Sequence, residues 1–309
     1  MPDTFFTASP HWTWYIIPYF FIGGIAGGAY FLAAILEWFG RAEDRPVIRT
    51  GYSLAFWGAI LCGLLLTIDL GKPLRFWHML FQSENFPRLM FKSWSPISFG
   101  AWAILLFGAC AGLSLLGAWS EEGRVRAPAA QMLRGGTTLA KLVAAVGGLL
   151  GFFVAGYTGV LLSVTNRPIW ADSPWLGALF LASGASTGAA ALVLFASGRG
   201  AAESSIRWLS SFDTRALIVE LVILVAFVVS LGAVARVWLS VWGVILLIGV
   251  VWAGILWPLR LHTRPAGAGG GAFRNPAVMV LLGGFMLRVV TLLASHGIEV
   301  DRLAAGIAP

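Results

Sequence analysis

Long apolar stretches alternate with short polar connections along nearly the whole chain. Eight of them reach about 20 mostly apolar residues, the length that crosses a lipid bilayer as a helix. They cover roughly 14–38, 50–70, 96–118, 137–163, 175–197, 214–235, 238–258 and 276–295. The connections hold the Pro, Gly and charged residues that end helices, as in RAEDRP and SGRGAAESS. The pattern predicts an all-α integral membrane protein with eight transmembrane helices.

Composition agrees with a membrane environment. Hydrophobic residues make up 58% of the 309 positions, charged residues make up 11%, and the mean hydropathy is +0.83, whereas about a quarter of the residues of a soluble domain are charged. The net charge of +7 does not indicate nucleic-acid binding, because the basic residues are scattered singly and form no patch with interleaved aromatics. The opening residues, MPDTFFTASPHW, lack the basic region and apolar core of a cleavable signal, so the first helix is expected to direct insertion into the lipid bilayer.

The distribution of Lys and Arg predicts the orientation, since cytoplasmic loops carry an excess of these residues. Twelve arginines lie in the connections after the first, third, fifth and seventh stretches: Arg41, Arg45, Arg49, Arg124, Arg126, Arg134, Arg199, Arg207, Arg215, Arg260, Arg264 and Arg274. Seven basic residues lie on the other face: Lys72, Arg75, Arg88, Lys92, Arg167, Arg236 and Arg302. The first face is therefore predicted to be cytoplasmic and both termini to lie outside. We call these two faces the inner and the outer face.

A weak internal repeat relates the first and fifth stretches. FIGGIAGGAYFL at 21–32 and LASGASTGAAAL at 181–192 align so that Gly24 matches Gly184 and Gly28 matches Gly188. Small residues four apart let two membrane helices approach closely. Because both stretches run in the same direction, we predict two four-helix bundles in parallel repeat, an N-terminal one at 1–170 and a C-terminal one at 171–309.

The sequence does not predict a haem or a metal in this chain. Haem needs axial ligands, usually histidines, facing each other within the bilayer. The four histidines lie at the ends of stretches or in connections: His11, His78, His262 and His296. Cys62 and Cys110 lie in separate apolar stretches without CxxC or Cys/His spacing, which is typical of small core residues.

Polar side chains collect at the outer ends of the first four stretches. They are His11, Tyr15, Tyr19, Asp69, Lys72, Arg75, Ser95, Ser98, Tyr157, Ser163, Asn166 and Arg167. His11, Tyr15 and Tyr19 are four apart and are predicted to share one face of a helix. Polar groups surrounded by lipid need hydrogen-bond partners. A flat apolar molecule with two carbonyl or hydroxyl oxygens, such as a quinone, meets that need.

The first five stretches resemble the NrfD/PsrC-type family, the quinone-binding membrane subunits of polysulfide reductase-like complexes. The resemblance rests on HWTWYIIPYFFIGGIAGGAYFLAAILE, DLGKPLRFWHML, KSWSPISFGAW, GYTGVLLSVTNRPIW and DSPWLGALFLASGASTGAA. It implies an anchor in the prokaryotic cytoplasmic membrane that has no redox centre of its own. Such an anchor exchanges electrons between menaquinone or ubiquinone and an iron–sulfur subunit docked on the outer face, which serves a molybdopterin-type catalytic subunit.

The resemblance also implies a position for the quinone ring, near the outer ends of the first four helices. A tyrosine of the fourth helix bonds the ring in the family, and Tyr157 in GYTG matches it. Where relatives carry an Asn and a His early in the first helix, this chain has IIPYFF, which leaves Tyr19 as the nearest polar substitute. Asp69 in DLGKP is predicted to accept a quinol proton or to bond the ring. The predicted catalytic groups are thus Tyr157 and Asp69, and the predicted ring contacts are His11, Tyr15, Tyr19, Tyr157, Ser98 and Arg75.

Each of these candidates has a structural alternative. The Tyr157 hydroxyl serves equally well as an interhelical hydrogen bond. Asp69 alternatively forms a salt bridge with Lys72 or Arg75, and Tyr15 belongs with its neighbours to an aromatic belt at the membrane surface. For the whole chain, the alternatives are a structural anchor and a secondary transporter, which would need helices broken near the midplane.

Two further features carry predictions. Residues 71–95 form a long outer connection that alternates apolar and basic positions, which favours a docking surface for the iron–sulfur subunit or an interfacial helix over a solvated cover. Ionisable residues inside the stretches are candidates for a proton route, with structural ion pairs as the alternative. Glu37 and Lys141 are expected to face each other near the inner face, and Glu220 and Arg288 lie in the second half.

Overall fold

Eight long helices make up most of the described chain, which comprises residue 12, residues 14–262, residues 271–295 and residue 298 of a computed structural model. They are α1 (Ile16–Phe39), α2 (Arg45–Asp69), α3 (Pro96–Glu121), α4 (Thr138–Ser163), α5 (Leu176–Ser197), α6 (Glu203–Ser230), α7 (Val241–His262) and α8 (Gly271–Ala294). Short 3₁₀ turns occur at Ala42–Asp44, Pro73–Met79 and Gly232–Leu239, and a short helix occurs at Pro128–Met132. The prediction of an all-α membrane protein is confirmed.

Seven of these helices are each long and apolar enough to cross a membrane, the exception being α6. α6 has 28 residues, but its apolar part is long enough only when the turn Gly232–Leu239 is included, from which it is bent by 110°. It begins at Glu203, inside a connection predicted to be polar. An ion pair of 3.3 Å between Glu203 and Arg207, one turn apart, favours this early start. The predicted stretch begins at residue 214 because hydropathy does not predict the polar first part of a helix.

Caps fix the outer end of α3 and the inner end of α4. The Ser95 hydroxyl accepts the N–H of Ser98 at 3.3 Å, and α3 then begins with Pro96. The Thr137 hydroxyl accepts the N–H of Ala140 at 3.2 Å at the start of α4. Ser and Thr side chains at these positions satisfy backbone donors that the first turn leaves free. Both helices therefore start at defined residues, and Tyr157 of α4 comes to lie beside Pro96.

The helices pack as two rings of four. In the first, α1, α2, α3 and α4 each contact the next and α4 closes on α1, and α5 to α8 make the same contacts in the second. α1 and α5 join the two rings. They are also the most buried helices, since 72% of the residues in the most apolar segment of each are buried inside the protein. The division at residues 170 and 171 and the parallel repeat both stay predictions.

Glycines form the seam between the two rings. Gly24 and Gly28 of α1 lie against Gly184 and Gly188 of α5, and a Cβ on Gly188 would lie 2.8 Å from the Cα of Gly28. Side chains at these positions would push the two helices apart. The glycine motifs that the alignment paired are therefore in contact with each other.

Candidate functional site

Tyr157 lies near the outer end of α4 and is almost fully buried, with 7% of its surface exposed. Its ring stacks on Phe153 at 5.3 Å between centroids, and its hydroxyl donates to the backbone carbonyl of Pro96 at 2.5 Å. The ring fits because Gly100 of α3 lies opposite, where a Cβ would collide with it. Tyr157 therefore joins α3 to α4, as its structural alternative predicted. Its proton is used in this bond, and its oxygen faces the backbone N–H of Gly100, which leaves one further lone pair with which to accept.

Tyr19 lies in the first turn of α1 and is also buried, with 4% exposed. It lies on α1, which packs against α4, the helix that carries Tyr157. Its hydroxyl makes no hydrogen bond to any residue that the structure describes. Buried tyrosine hydroxyls usually find a partner. The Tyr19 hydroxyl is therefore an unused donor near the same end of the helix pair as Tyr157.

Tyr15 and Tyr19 are in successive helical turns but differ in exposure. Tyr15 is the N-cap of α1, has helical backbone angles, and its carbonyl accepts the N–H of Tyr19 at 3.4 Å. Half of Tyr15 is exposed, and the neighbouring Trp14 is 67% exposed. Aromatic side chains in this position are typical of a membrane interface, so the geometry of Tyr15 matches its aromatic-belt alternative. His11 lies outside the described residues.

Asp69 is the last residue of α2 and is partly buried. Lys72 and Arg75 form no ion pair with it, and its carboxylate has no hydrogen bond to a described residue. Arg75 is exposed in the turn Pro73–Met79. Among the described residues, Asp69 therefore does not form the salt bridge that was its structural alternative. Its carboxylate can take up a proton.

Ser98 is used by the protein itself. Its hydroxyl oxygen accepts the backbone N–H of Lys92 at 3.1 Å. The indole N–H of Trp102, one turn further along α3, donates to the carbonyl of Met90 at 2.8 Å. Both bonds fix the end of the 71–95 connection onto α3. A ring contact by Ser98 stays a prediction.

The 71–95 connection is folded and has an apolar surface. After the turn Pro73–Met79, Phe81 and Leu89 pair as a single antiparallel bridge. Large apolar side chains nevertheless point outwards, with Leu74 89% and Trp94 79% exposed. The basic residues of the connection are exposed between them: Lys72, Arg75, Arg88 and Lys92. Exposed apolar groups held by an ordered backbone are typical of an interaction surface.

A line of aromatic rings leads from this connection to Tyr157. Phe91 contacts Phe99 of α3 at 5.9 Å, and Phe99 contacts Phe153 of α4 at 5.5 Å. Phe153 then stacks on Tyr157. Exposure falls along the line, since Phe91 and Phe99 are exposed, Phe153 is partly buried and Tyr157 is buried. The line therefore connects the protein surface with the buried tyrosine.

Glu37 and Lys141 do not face each other, and that expectation is wrong. The Glu37 carboxylate accepts bonds from the Arg45 guanidinium at 2.7 and 3.2 Å and from the N–H of Gly136 at 2.7 Å. The Lys141 ammonium lies over the Trp38 ring, 5.8 Å from its centroid. The expectation rested only on the fact that both residues lie near the inner ends of their helices. Arg45, at the start of α2, is nearer to Glu37 because only a short turn separates α2 from α1.

The second half buries more charge than the sequence indicated. Glu220 and Arg288 are both buried and interact electrostatically. Two residues were missed: Asp213 is buried, and its carboxylate lies 3.9 Å from the His262 ring. Both residues lie just outside the predicted stretches 214–235 and 238–258, so they were assigned to connections. An acid and a histidine at adjoining helix ends were the signal that could have found them.

Metal ligation finds no support in the described part of the chain. No group of three or more His, Cys, Asp or Glu side chains there could hold a metal ion. Cys62 and Cys110 are free thiols, and Cys62 donates to the backbone carbonyl of Tyr19 at 3.6 Å. The groups that the site offers are hydrogen-bond donors and acceptors and one free carboxylate.

Comparisons with known proteins cover this site. The family described as "Polysulphide reductase, NrfD" matches residues 3–298. The chain is 28% identical to the C subunit of polysulfide reductase from Wolinella succinogenes over 307 residues, which covers 92% of this chain and 94% of that protein. It is 27% identical to a protein NrfD homolog of Haemophilus influenzae over 273 residues, covering 84% and 85%. It is 32% identical to protein NrfD of Escherichia coli over 197 residues, covering 59% and 58%.

Proposed function

Because this chain belongs to the NrfD family of polysulphide reductase membrane proteins, we propose that it is the quinone-reactive membrane subunit of a multisubunit oxidoreductase. The observation that carries the proposal is the pair formed by Tyr19 and Tyr157. Tyr19 is a buried side chain whose hydroxyl has no partner among the described residues, and Tyr157 has its proton fixed on the Pro96 carbonyl. The pair offers a donor and an acceptor on two adjacent helices, α1 and α4, near the predicted outer face.

These two groups suit a ring whose oxygens change between carbonyl and hydroxyl. Tyr19 donates to a carbonyl oxygen of the ring. Tyr157 accepts from a ring hydroxyl, because its own proton stays on Pro96. A quinol oxidised there would give two electrons to the iron–sulfur partner proposed below and two protons to the outer side, one through Asp69 and one directly to water. Asp69, whose carboxylate has no partner among the described residues, accepts a proton on the same face of the membrane.

The aromatic line from Phe91 to Tyr157 supports entry of the ring from the lipid. Quinones carry long apolar tails, and a path lined by aromatic side chains keeps the ring out of water. The exposed end of the line, at Phe91 and Phe99, faces the surroundings, and its buried end is Tyr157. Menaquinone and ubiquinone both have this form. The subunit works in a prokaryotic cytoplasmic membrane, with both termini on the outer side.

The 71–95 connection is the docking surface for an iron–sulfur subunit, which passes electrons to a molybdopterin-type catalytic subunit. Three observations support this. The connection is fixed to α3 by Ser98 and Trp102, it exposes apolar and basic side chains together, and it adjoins the aromatic line. The Wolinella succinogenes relative is itself one subunit of a polysulfide reductase, which also fits a role within a larger enzyme.

The test begins with purification of the tagged full-length protein in mild detergent and mass spectrometry of its partners and lipids. We expect an iron–sulfur protein, a molybdopterin protein and a quinone. Recovery of the protein alone without quinone would overturn the proposal in favour of a transporter or a structural anchor.

Variants of the copurified complex then test the site. Tyr19→Phe and Tyr157→Phe should each raise the KM for a dimethylnaphthoquinol about fivefold, since a hydrogen bond contributes about 1 kcal/mol and about 1.4 kcal/mol is tenfold in affinity. Tyr30→Phe is the matched control. Tyr30 is buried on the same helix, about 16 Å from Tyr19 along its axis, and bonds Ser114 instead. Equal KM values for all three variants would contradict the assignment.

A further inference from the structure

The second ring of helices contains a buried line of ionisable and hydroxyl groups away from the quinone site. Its charged members are Asp213 and Glu220 of α6 and Arg288 of α8, and its hydroxyl members are Ser183 and Ser186 of α5. None of the five exceeds 4% exposure. Charged side chains inside a membrane are costly and are retained mainly where they act.

The line starts near the predicted inner face, at the end of α7. His262 is the last residue of that helix, and its Nε2 lies 3.9 Å from an oxygen of Asp213. Its Nδ1 pairs with the hydroxyl of Thr214 at 3.1 Å. The other carboxylate oxygen of Asp213 accepts the Ser186 hydroxyl at 2.6 Å. An imidazole, a carboxylate and a hydroxyl are thus in sequence from the helix end inwards.

The line continues through Ser183 to Glu220 and Arg288. Ser183 accepts from Nη1 of Arg288 at 2.5 Å and lies near enough to the Glu220 carboxylate to stabilise its charge. Ser183 and Ser186 are three residues apart on α5, about 4.5 Å along the axis. A water molecule between the two hydroxyls would complete the connection. Asp213 and Glu220 are seven residues apart on α6, so both face α5.

Arg288 is fully buried and incompletely bonded. Its Nη1 also donates to the Gly284 carbonyl at 2.8 Å and its Nη2 to the Phe180 carbonyl at 3.4 Å. Its Nε has no partner among the described residues, and no carboxylate there lies within ion-pair distance of it. A purely structural cluster would gain by completing these bonds, because unsatisfied polar groups in the interior are expensive.

The line ends against α1. Nη2 of Arg288 would lie 3.0 Å from a Cβ on Gly24, so the glycine leaves room for the guanidinium. Gly24 is five residues from Tyr19, about 7.5 Å along the helix. The buried charges of the second ring therefore reach the helix that carries the free tyrosine hydroxyl.

We infer that this line is a proton-transfer path from the predicted inner face to the neighbourhood of Tyr19. A proton passes from the His262 imidazolium to the Asp213 carboxylate, then through the Ser186 and Ser183 hydroxyls to the Glu220 carboxylate. Each hydroxyl accepts one proton as it gives up another. Arg288 keeps its proton and stabilises the ionised Glu220. The end point beside Tyr19 rests on the quinone site proposed above, and the path itself does not.

The order of the groups makes the path testable without a quinone or a partner. The full-length protein is reconstituted in liposomes and transferred to D2O, and exchange of the Glu220 carboxyl proton is followed by infrared spectroscopy. Glu220→Gln identifies the band. If protons reach Glu220 through Asp213, Asp213→Asn should slow the exchange at least tenfold.

Two further variants keep the test decisive. Ser186→Ala retains both carboxyls and interrupts the same step, so it should slow exchange at Glu220 even if Asp213→Asn folds poorly. Glu203→Gln removes an exposed acid of the same helix and should leave the exchange rate unchanged. Exchange at Glu220 that is as fast in Ser186→Ala as in the unmodified protein would overturn the path. Because this readout involves no quinone, its result is independent of the KM test of Tyr19 and Tyr157.

Discussion

The two halves of the protein bury their charges in opposite ways. In the first half, Glu37 accepts two bonds from Arg45 and one from Gly136, and Arg45 lies 3.5 Å from Glu121 as well. In the second half, Arg288 is completely buried and leaves its Nε without a partner in the described structure. The first cluster is saturated with hydrogen bonds and the second is not.

The difference separates a structural role from a chemical one. Both clusters meet the rule that an ionisable residue within the membrane is a functional candidate, and the sequence placed Glu37, Glu220 and Arg288 in one class on that basis. A saturated ion pair near a helix end ties α1 and α2 to the connection that precedes α4 and has little reason to change its protonation. A partly bonded cluster can accept or release a proton without dismantling a network.

The largest effect that tests this comparison is expected for Glu37→Gln. Removing one charge leaves Arg45 short of its best partner in a partly buried site, and breaking buried ion pairs costs about 3 kcal/mol. We expect a loss of that order in the free energy of unfolding, measured for the full-length protein in detergent micelles. Exchange of the Glu220 carboxyl proton in the reconstituted protein should stay the same.

Glu43→Gln is the control for that variant. Glu43 lies in the neighbouring turn, and its contact with Arg41 is long, at 3.8 Å, and exposed, so its removal should change stability by less than about 0.5 kcal/mol. If Glu37→Gln left stability intact and slowed proton exchange, the first cluster would be a proton route and the comparison would fail.

The sequence predicted the helices well and the buried charges poorly, for one physical reason. Apolar length determines where a helix crosses lipid, so seven of the eight stretches match the observed helices to within about five residues at each end. Asp213 was missed because α6 begins at Glu203. The first part of that helix, ESSIRWLSSFDTR, is too polar for its hydropathy to predict a membrane helix. The position of Tyr157 followed from GYTG, whereas the free hydroxyl of Tyr19 depends on packing between helices that no local pattern contains.

A smaller effect is expected at Arg288. Arg288→Met leaves Glu220 without its nearby positive charge, but a carboxylate in this cluster can take up a proton and avoid being a buried unpaired ion. We expect a loss of about 1–2 kcal/mol, smaller than for Glu37→Gln, and Glu220→Gln added to Arg288→Met should recover part of it. A double-mutant cycle measures the coupling between the two residues. A coupling as large as that between Glu37 and Arg45 would mark the second cluster as a structural ion pair.

The smallest effect comes from two serine–aspartate bonds of similar length. Ser186 donates to Asp213 at 2.6 Å, and Ser205 donates to Asp44 at 2.5 Å near the inner face. Ser186→Ala and Ser205→Ala should each cost about 1 kcal/mol of unfolding free energy, so stability alone will not distinguish them. Asp44 also accepts the N–H of Arg41 at 2.7 Å and keeps that bond when Ser205 is replaced. Asp213 has no second bond of that length among the described residues, so Ser186→Ala should increase its protonated fraction, seen as a stronger carboxyl band in the infrared spectrum. Equal bands in the two variants would mean that Asp213 is held as firmly as Asp44, and the contrast between the two halves would not extend to this residue.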